Sequence, residues 1–186
     1  MRLASILLIC LVFSPCSDPA WAAPIAITNP GFESPDVGGP GEPGNLTSWT
    51  FPQESSGVWD INAQPLSFWN VGAPEGDQIA FVSGSGAGAS TIAQVLGSTL
   101  QGNTIYTLTG QVGHPSGLGA TVSTVWTAEM LAGGSVLVSE SDTGPDGSFT
   151  PFQLVFDSSG SALIGQSLEI RLTSNQPHSQ GLTISS

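Results

Sequence analysis

The chain has 186 residues, 14 acidic side chains against two Lys or Arg, and a formal net charge of −12. Such a surface repels phosphate backbones and anionic lipid, which excludes nucleic acid as a partner and favours cations. Charged residues are only 9% of the chain while glycine alone numbers 24, a composition of short strands and tight turns.

The first element is an export signal. Met1-Arg2 supplies a positive charge, Ile6 to Phe13 is apolar, and Ala20-Trp21-Ala22 is an A-x-A site, so cleavage is expected after Ala22. The apolar run is too short for a membrane-spanning helix, and none follows it. Pro15 before Cys16 fits a lipoprotein anchor badly. Both cysteines, Cys10 and Cys16, fall inside the signal, so residues 23–186 are expected to fold as a single domain without disulfides. The expected location is periplasmic, cell-surface or extracellular.

The mature chain opens with Ile25-Ala26-Ile27-Thr28, whose alternation predicts a strand with one buried face, and Asn29-Pro30-Gly31 then forces a turn. Phe32 returns to the core. The adjacent Glu33 needs a partner, because a carboxylate fixed beside a packed aromatic is costly to leave unpaired. The expected partner is Ca2+, with Glu33 as a metal ligand.

Ser34 to Asn45 reads as a loop, Leu46 to Phe51 as a short strand carrying Trp49, and Gly57 to Ile61 as another. Pro74-Glu75-Gly76-Asp77 turns into a half-buried strand from Gln78 to Val82, and the Gly/Ser/Ala-rich Ser83 to Ser90 reads as a loop. Beyond it come strands at Thr91 to Leu96 and at Ile105 to Val112, the latter with Tyr106, Leu108 and Val112 facing the core. Val122 to Leu131 forms a hairpin with Ser135 to Ser139 across Gly133-Gly134. Phe149 to Phe156 places Phe152, Leu154 and Phe156 inward, and Leu168 to Leu172 alternates as cleanly. About ten short strands with no convincing helix predict an all-β sandwich, and their spacing favours a jelly roll over an immunoglobulin-like domain.

Aromatic side chains are the first candidates for binding, since their faces stack on sugars, indoles and cations. Of Trp49, Trp59, Phe68, Trp69 and Trp126, a sandwich needs several for its core. Trp59 and Trp69, which flank Pro65 in a stretch of weak strand character, are selected as an exposed ligand-binding pair. Asp142 and Asp146 share one loop and Glu75 and Asp77 one turn, and each pair reads either as cation ligands or as ordinary turn residues. His114 has no nucleophile motif beside it.

Asn29-Pro30-Gly31-Phe32-Glu33, Ala73-Pro74-Glu75-Gly76-Asp77, Ala93-Gln94-Val95-Leu96, Thr104 to Leu108 with Val112-Gly113, and Glu129 to Gly134 occur in this order. Together they resemble a family of exported bacterial jelly rolls that includes proteins with a PEP-type C-terminal sorting signal and the hapalindole-type (Stig) cyclases. The family is similar in fold to Ca2+-containing galactose-binding and carbohydrate-binding modules. The resemblance implies that Glu33 ligates a structural Ca2+ and that an acidic residue of a final F-D-N strand completes the site. In the cyclase branch that strand also supplies a general acid. This chain ends Leu182-Thr183-Ile184-Ser185-Ser186 without that motif, so its last strand is expected to be truncated or atypical, and no catalytic residue is assigned.

Two functions follow. The first is an exported, Ca2+-stabilised, non-catalytic module that binds polysaccharide or a small aromatic ligand. The alternative is a Ca2+-dependent Stig-type cyclase acting on an isonitrile-bearing indole-terpenoid by acid-triggered rearrangement and cyclisation. The cyclase reading implies an apolar pocket at a sheet face or at a homodimer interface.

Overall fold

Strict alternation of apolar and polar residues gives each segment one wet and one dry face, and two such faces pressed together make the architecture. The computed structural model describes residues 24–39, 42–43, 46–51, 56–63, 68–82, 89–116, 125–174 and 180–185. The expected signal peptide, with both cysteines, and residues 83–88 of the expected loop lie outside the described residues.

The strands are β1 (Glu42–Pro43), β2 (Ser56–Asp60), β3 (Gln78–Val82), β4 (Ser90–Thr99), β5 (Ile105–Gly113), β6 (Val125–Ala132), β7 (Ser135–Thr143), β8 (Phe149–Asp157), β9 (Ser167–Ser174) and β10 (Gln180–Ser185). Sheet A runs β1-β2-β3-β10-β5-β8 and sheet B runs β4-β9-β6-β7, all pairs antiparallel. From residue 90 to residue 174 each expected strand has an observed counterpart, residues 122–124 of one of them lying outside the described residues. The hairpin falls at Gly133-Gly134, whose φ values of +56° and +79° suit a two-residue turn that side chains with a Cβ rarely adopt. No α-helix occurs among the described residues.

The core lies between the sheets. Tyr106, Leu108 and Val112 of β5 meet Phe152 and Leu154 of β8 from sheet A, and Ile170 and Leu172 of β9 face them from sheet B. Trp126, 2% exposed, packs on Phe152 at 5.4 Å, and Trp49, 5% exposed, packs on Phe32 at 5.1 Å, so these two tryptophans are core.

Three local expectations change. Within the expected Ser34 to Asn45 loop, Glu42–Pro43 forms β1 and pairs with β2. Ile25 to Thr28 forms no strand; it is a strap laid along the sandwich with Ile25 and Ile27 packed on the core. Leu46 to Phe51 contributes only an isolated bridge between Thr50 and Ala93. The end of the chain is also informative. Residues 180–185 form a strand seated in the middle of sheet A, between β3 and β5, although the F-D-N pattern is missing.

Candidate functional site

In β2 and β3 Val58, Ala80 and Val82 face the core, so Trp59, Ile79 and Phe81 occupy the opposite, outer face of sheet A. That face is partly covered. The chain after β2 folds back over it and lays Trp69, 3% exposed, flat on Phe149 of β8, with ring centroids 4.5 Å apart and an interplanar angle of 1°. Trp59 meets Trp69 edge-on at 6.4 Å and 73°, and tilts against Phe68 at 6.1 Å. Ile61 and Ile79 are buried beneath this aromatic cluster, while Phe68, 39% exposed, forms its open side.

The strand register beneath the cluster is unusual. Gly57 pairs with Phe81, Phe81 with Gly181, Gly181 with Gly113 and Gly113 with Phe149, so three glycine positions share one row across the sheet. A Cβ on Gly113 would collide with the Ser148 carbonyl, so only glycine lets that loop close down. Hydrogen bonds then zip the surrounding loops together: Ser116 N–H donates to Phe68 O at 2.6 Å, Asn70 N–H to Gly147 O at 2.7 Å, and Gly147 N–H to His114 O at 2.7 Å. His114 Nδ1 stands 3.5 Å from the Asp146 carboxylate in the same knot.

Polar satisfaction in the cluster is incomplete. The buried Nε1–H groups of Trp59 and Trp69 have no acceptor among the described residues, whereas Trp49 Nε1–H donates to Asn29 O at 3.2 Å. Trp126 shares the deficit from within the main core. Buried donors are normally paired, so two orphans side by side in a surface cluster mark a place where an acceptor atom gains most.

Trp59 and Trp69 are therefore brought together as expected, but not as an exposed pair. Trp59 is half-buried, and Trp69, with one face on Phe149, one edge on Trp59 and only 3% exposure, has no open face for stacking. The exposed aromatic is Phe68. Phe149 was passed over in the sequence although its parity, opposite to Phe152, places it on the outer face.

Glu33 lies elsewhere, at the 73–78 turn. Its Oε1 accepts from Asp77 N–H at 3.1 Å and Gln78 N–H at 3.0 Å, and Glu33 and Glu75 flank Gly31. Gly76 sits under the carboxylate at φ +62°. Asp77 accepts from Asn62 Nδ2 at 2.8 Å. Asp142 accepts from the Thr143 amide and Asp146 faces His114, so that loop's carboxylates have separate local partners.

Ca2+ takes six to eight oxygens. Among the described residues no three His, Cys, Asp or Glu side chains converge, and one oxygen of Glu33 is already engaged by two amides. These side chains alone do not make a Ca2+ cage. An ion at Glu33 needs main-chain oxygens to complete its shell.

What holds the leading segment in this structure is a pair of glutamines that the sequence reading did not single out. Gln78, 1% exposed, donates to Phe32 O and Pro35 O and accepts from Val37 N–H, at 2.8 to 3.1 Å. Gln94, 6% exposed, exchanges two 2.8 Å bonds with the Thr28 backbone and donates to Ser48 O. Their signal was legible: each is a polar residue at a core-facing position, in line with Ala80 or with Ile92. Asp60, 7% exposed and accepting from Ala63 N–H, is a further buried carboxylate that was passed over.

Comparison with known proteins places this geometry. No curated protein sequence matches. The HpiC1-like family, described as HpiC1 cyclase, matches residues 23–184. A crystal structure of an apo cyclase from Fischerella sp. is 26% identical, with a TM-score of 0.74 over 86% of this chain and 93% of that one. A cyclase from Fischerella sp. TAU in complex with 4-(1H-indol-3-yl)butan-2-one is 24% identical, with a TM-score of 0.76 over 87% and 94%. TmCBM61 in complex with β-1,4-galactotriose shares the fold at 12% identity, with a TM-score of 0.55 over 87% and 95%. The expected jelly roll is thereby established, and over residues 23–184 the chain belongs to the HpiC1-like cyclase family.

Proposed function

We propose that this protein is a Stig-type cyclase whose substrate, an isonitrile-bearing indole-terpenoid, seats its ring system on the outer-face cluster of Trp59, Phe68 and Trp69. The observation that carries this reading is the match to the HpiC1-like family over residues 23–184, joined to two buried indole N–H donors without acceptors among the described residues. Phe68 offers the exposed ring face, and the indole donors offer hydrogen bonds to a carbonyl or isonitrile lone pair. The related cyclase bound to 4-(1H-indol-3-yl)butan-2-one, a flat ring carrying one acceptor, suits the same description. The cluster would orient the substrate and exclude water while acid triggers rearrangement and cyclisation.

The test is incubation with a geranylated indolenine isonitrile. Cyclised product that disappears in Phe68→Ala and Trp59→Ala supports the proposal; no product above background refutes it. Binding of the substrate without turnover would favour the other reading, an exported non-catalytic module. That reading draws on the exposed Phe68 beside Trp59 and predicts polysaccharide pull-down that fails in the same variants.

Ca2+ at Glu33 belongs to the proposal, resting on the two carboxylates that flank Gly31. A cation bound only by the folded chain raises its melting temperature. EDTA should then lower the melting temperature of the wild type and leave that of Glu33→Gln unmoved; an EDTA-independent wild-type melt removes the ion. Export and homodimerisation are likewise proposed, to be checked by fractionation of the native host and by light scattering.

A further inference from the structure

Phe68, Trp69 and Asn70 belong to no strand, yet each is fastened to a different part of the sandwich. Trp69 lies on the Phe149 ring of β8, and Asn70 N–H donates to Gly147 O at 2.7 Å, in the link between β7 and β8. Phe68 is held through its carbonyl, which accepts from both Ser116 N–H at 2.6 Å and the Ser116 hydroxyl at 3.0 Å. A carbonyl oxygen has two lone pairs, and this one residue beyond the end of β5 supplies a donor for each.

That carbonyl belongs to the peptide unit joining Phe68 to Trp69. The unit is planar, so two donors on its oxygen fix the plane, and the plane sets the direction in which both side chains leave the chain. Trp69 is buried against Phe149 and is held by that packing as well. Phe68 is 39% exposed and meets Trp59 at 6.1 Å and 58°, so the orientation of its open ring depends far more on the backbone that carries it.

Ser116 is itself kept in place. His114 N–H donates to Pro145 O at 3.2 Å and Gly147 N–H to His114 O at 2.7 Å, so the chain leaving β5 is bound to the chain entering β8. Gly147, at φ +65°, lies where both arrive: a Cβ there would stand 2.6 Å from Asn70 Nδ2 and 3.1 Å from Ser116 Cβ. Glycine leaves the room in which Ser116 and Asn70 come together. Removing the Ser116 hydroxyl alone would spare the Ser116 N–H bond and the Gly147 contacts. The fold would then lose little, while the exposed ring would lose half of its clamp.

We propose that Ser116 is a positioning residue of the aromatic cluster: its N–H and hydroxyl together clamp the Phe68 carbonyl and hold the Phe68 ring beside Trp59 in the orientation that stacks on a ligand ring. The inference rests on the reading of the cluster as the ligand seat, and its test separates the two. Protein labelled with 4-fluorophenylalanine is followed by 19F NMR without ligand, and affinity for 4-(1H-indol-3-yl)butan-2-one is measured by calorimetry. In Ser116→Ala the Phe68 resonance should move toward its unfolded-chain position and affinity should fall roughly 5-fold, about one hydrogen bond's worth, with the denaturant midpoint nearly unchanged. Ser116→Thr, which keeps the hydroxyl, should restore both. Ser116→Cys, whose thiol is a weak donor, replaces Ser116→Ala if that variant does not fold. A merely structural serine would lower the denaturant midpoint and leave the Phe68 resonance and the affinity where they were, and that result overturns the clamp. So does a Ser116→Thr protein as weak as Ser116→Ala. Wild-type binding matched by Ser116→Ala overturns the clamp and spares the seat; a wild type that binds no indole ligand overturns the seat and the clamp with it.

Discussion

The Thr28–Val37 segment and the Trp59/Trp69 cluster are both held to the sandwich by side chains, and they differ in how completely their polar groups are matched. In the first, Gln78, Gln94 and Glu33 give three, three and two hydrogen bonds to backbone groups of separate segments, all within 3.1 Å. In the second, rings stack and two buried N–H groups lack acceptors among the described residues. A satisfied network fixes a conformation and asks for nothing more; an unsatisfied one is destabilising until something supplies the acceptor. The difference separates a closed network from an open one within one chain.

The contrast breaks most visibly at Gln78. Gln78→Leu keeps the volume and strands Phe32 O, Pro35 O and Val37 N–H, so denaturant unfolding should show a loss of about 4 kcal/mol, the sum of several unmet buried groups. A loss under about 1 kcal/mol would mean the network is not structural. Gly76→Ala comes next. Its Cβ would enter the Glu33 carboxylate at a left-handed φ of +62°, and about 2 kcal/mol should be lost in the same assay.

Trp69→Phe is expected to behave oppositely. It removes an orphaned donor while keeping most of the ring stack on Phe149, so stability should change by less than about 1 kcal/mol. Affinity for 4-(1H-indol-3-yl)butan-2-one should fall roughly 10-fold, one hydrogen bond's worth, measured by calorimetry. The smallest effect belongs to Asp157, outside both regions. The Ser159 hydroxyl and N–H hold its carboxylate below the ordinary aspartate range. Because the folded midpoint is depressed, its contribution is present above the ordinary aspartate pKa and lost as pH falls through the folded midpoint. NMR titration should find that midpoint lowered in wild type and returned toward the ordinary range in Ser159→Ala.

Much of the fold was legible in residue parity. Tyr106, Leu108 and Val112 sit on the core face of β5, as their spacing of two or four requires, and Gly133-Gly134 makes its hairpin. Ile25 to Thr28 alternates equally well yet is no strand, because the side-chain amide of Gln94 takes the place of a backbone partner. Alternation reports a buried face and not what hydrogen-bonds the edge. The same limit applies to the cluster. Trp59 alternates with the core residue Val58 and so takes the outer face, but nothing local said that the chain beyond β2 would fold back and bury Trp69 against Phe149. Glu33 was recognised as needing a partner; the two amides of Asp77 and Gln78, 44 and 45 residues away, could not be foreseen from it.

The central claim is that the unpaired indole donors are the ligand's anchor. Indole Nε1–H resonances of 15N-tryptophan-labelled protein, titrated with 4-(1H-indol-3-yl)butan-2-one, test it directly. The account predicts large downfield shifts of the Trp59 and Trp69 protons at saturation, with Trp49, bound to Asn29 O, and Trp126, sealed in the core, unmoved. Saturable binding that leaves the Trp59 and Trp69 protons where they were, or no binding at all, would contradict it.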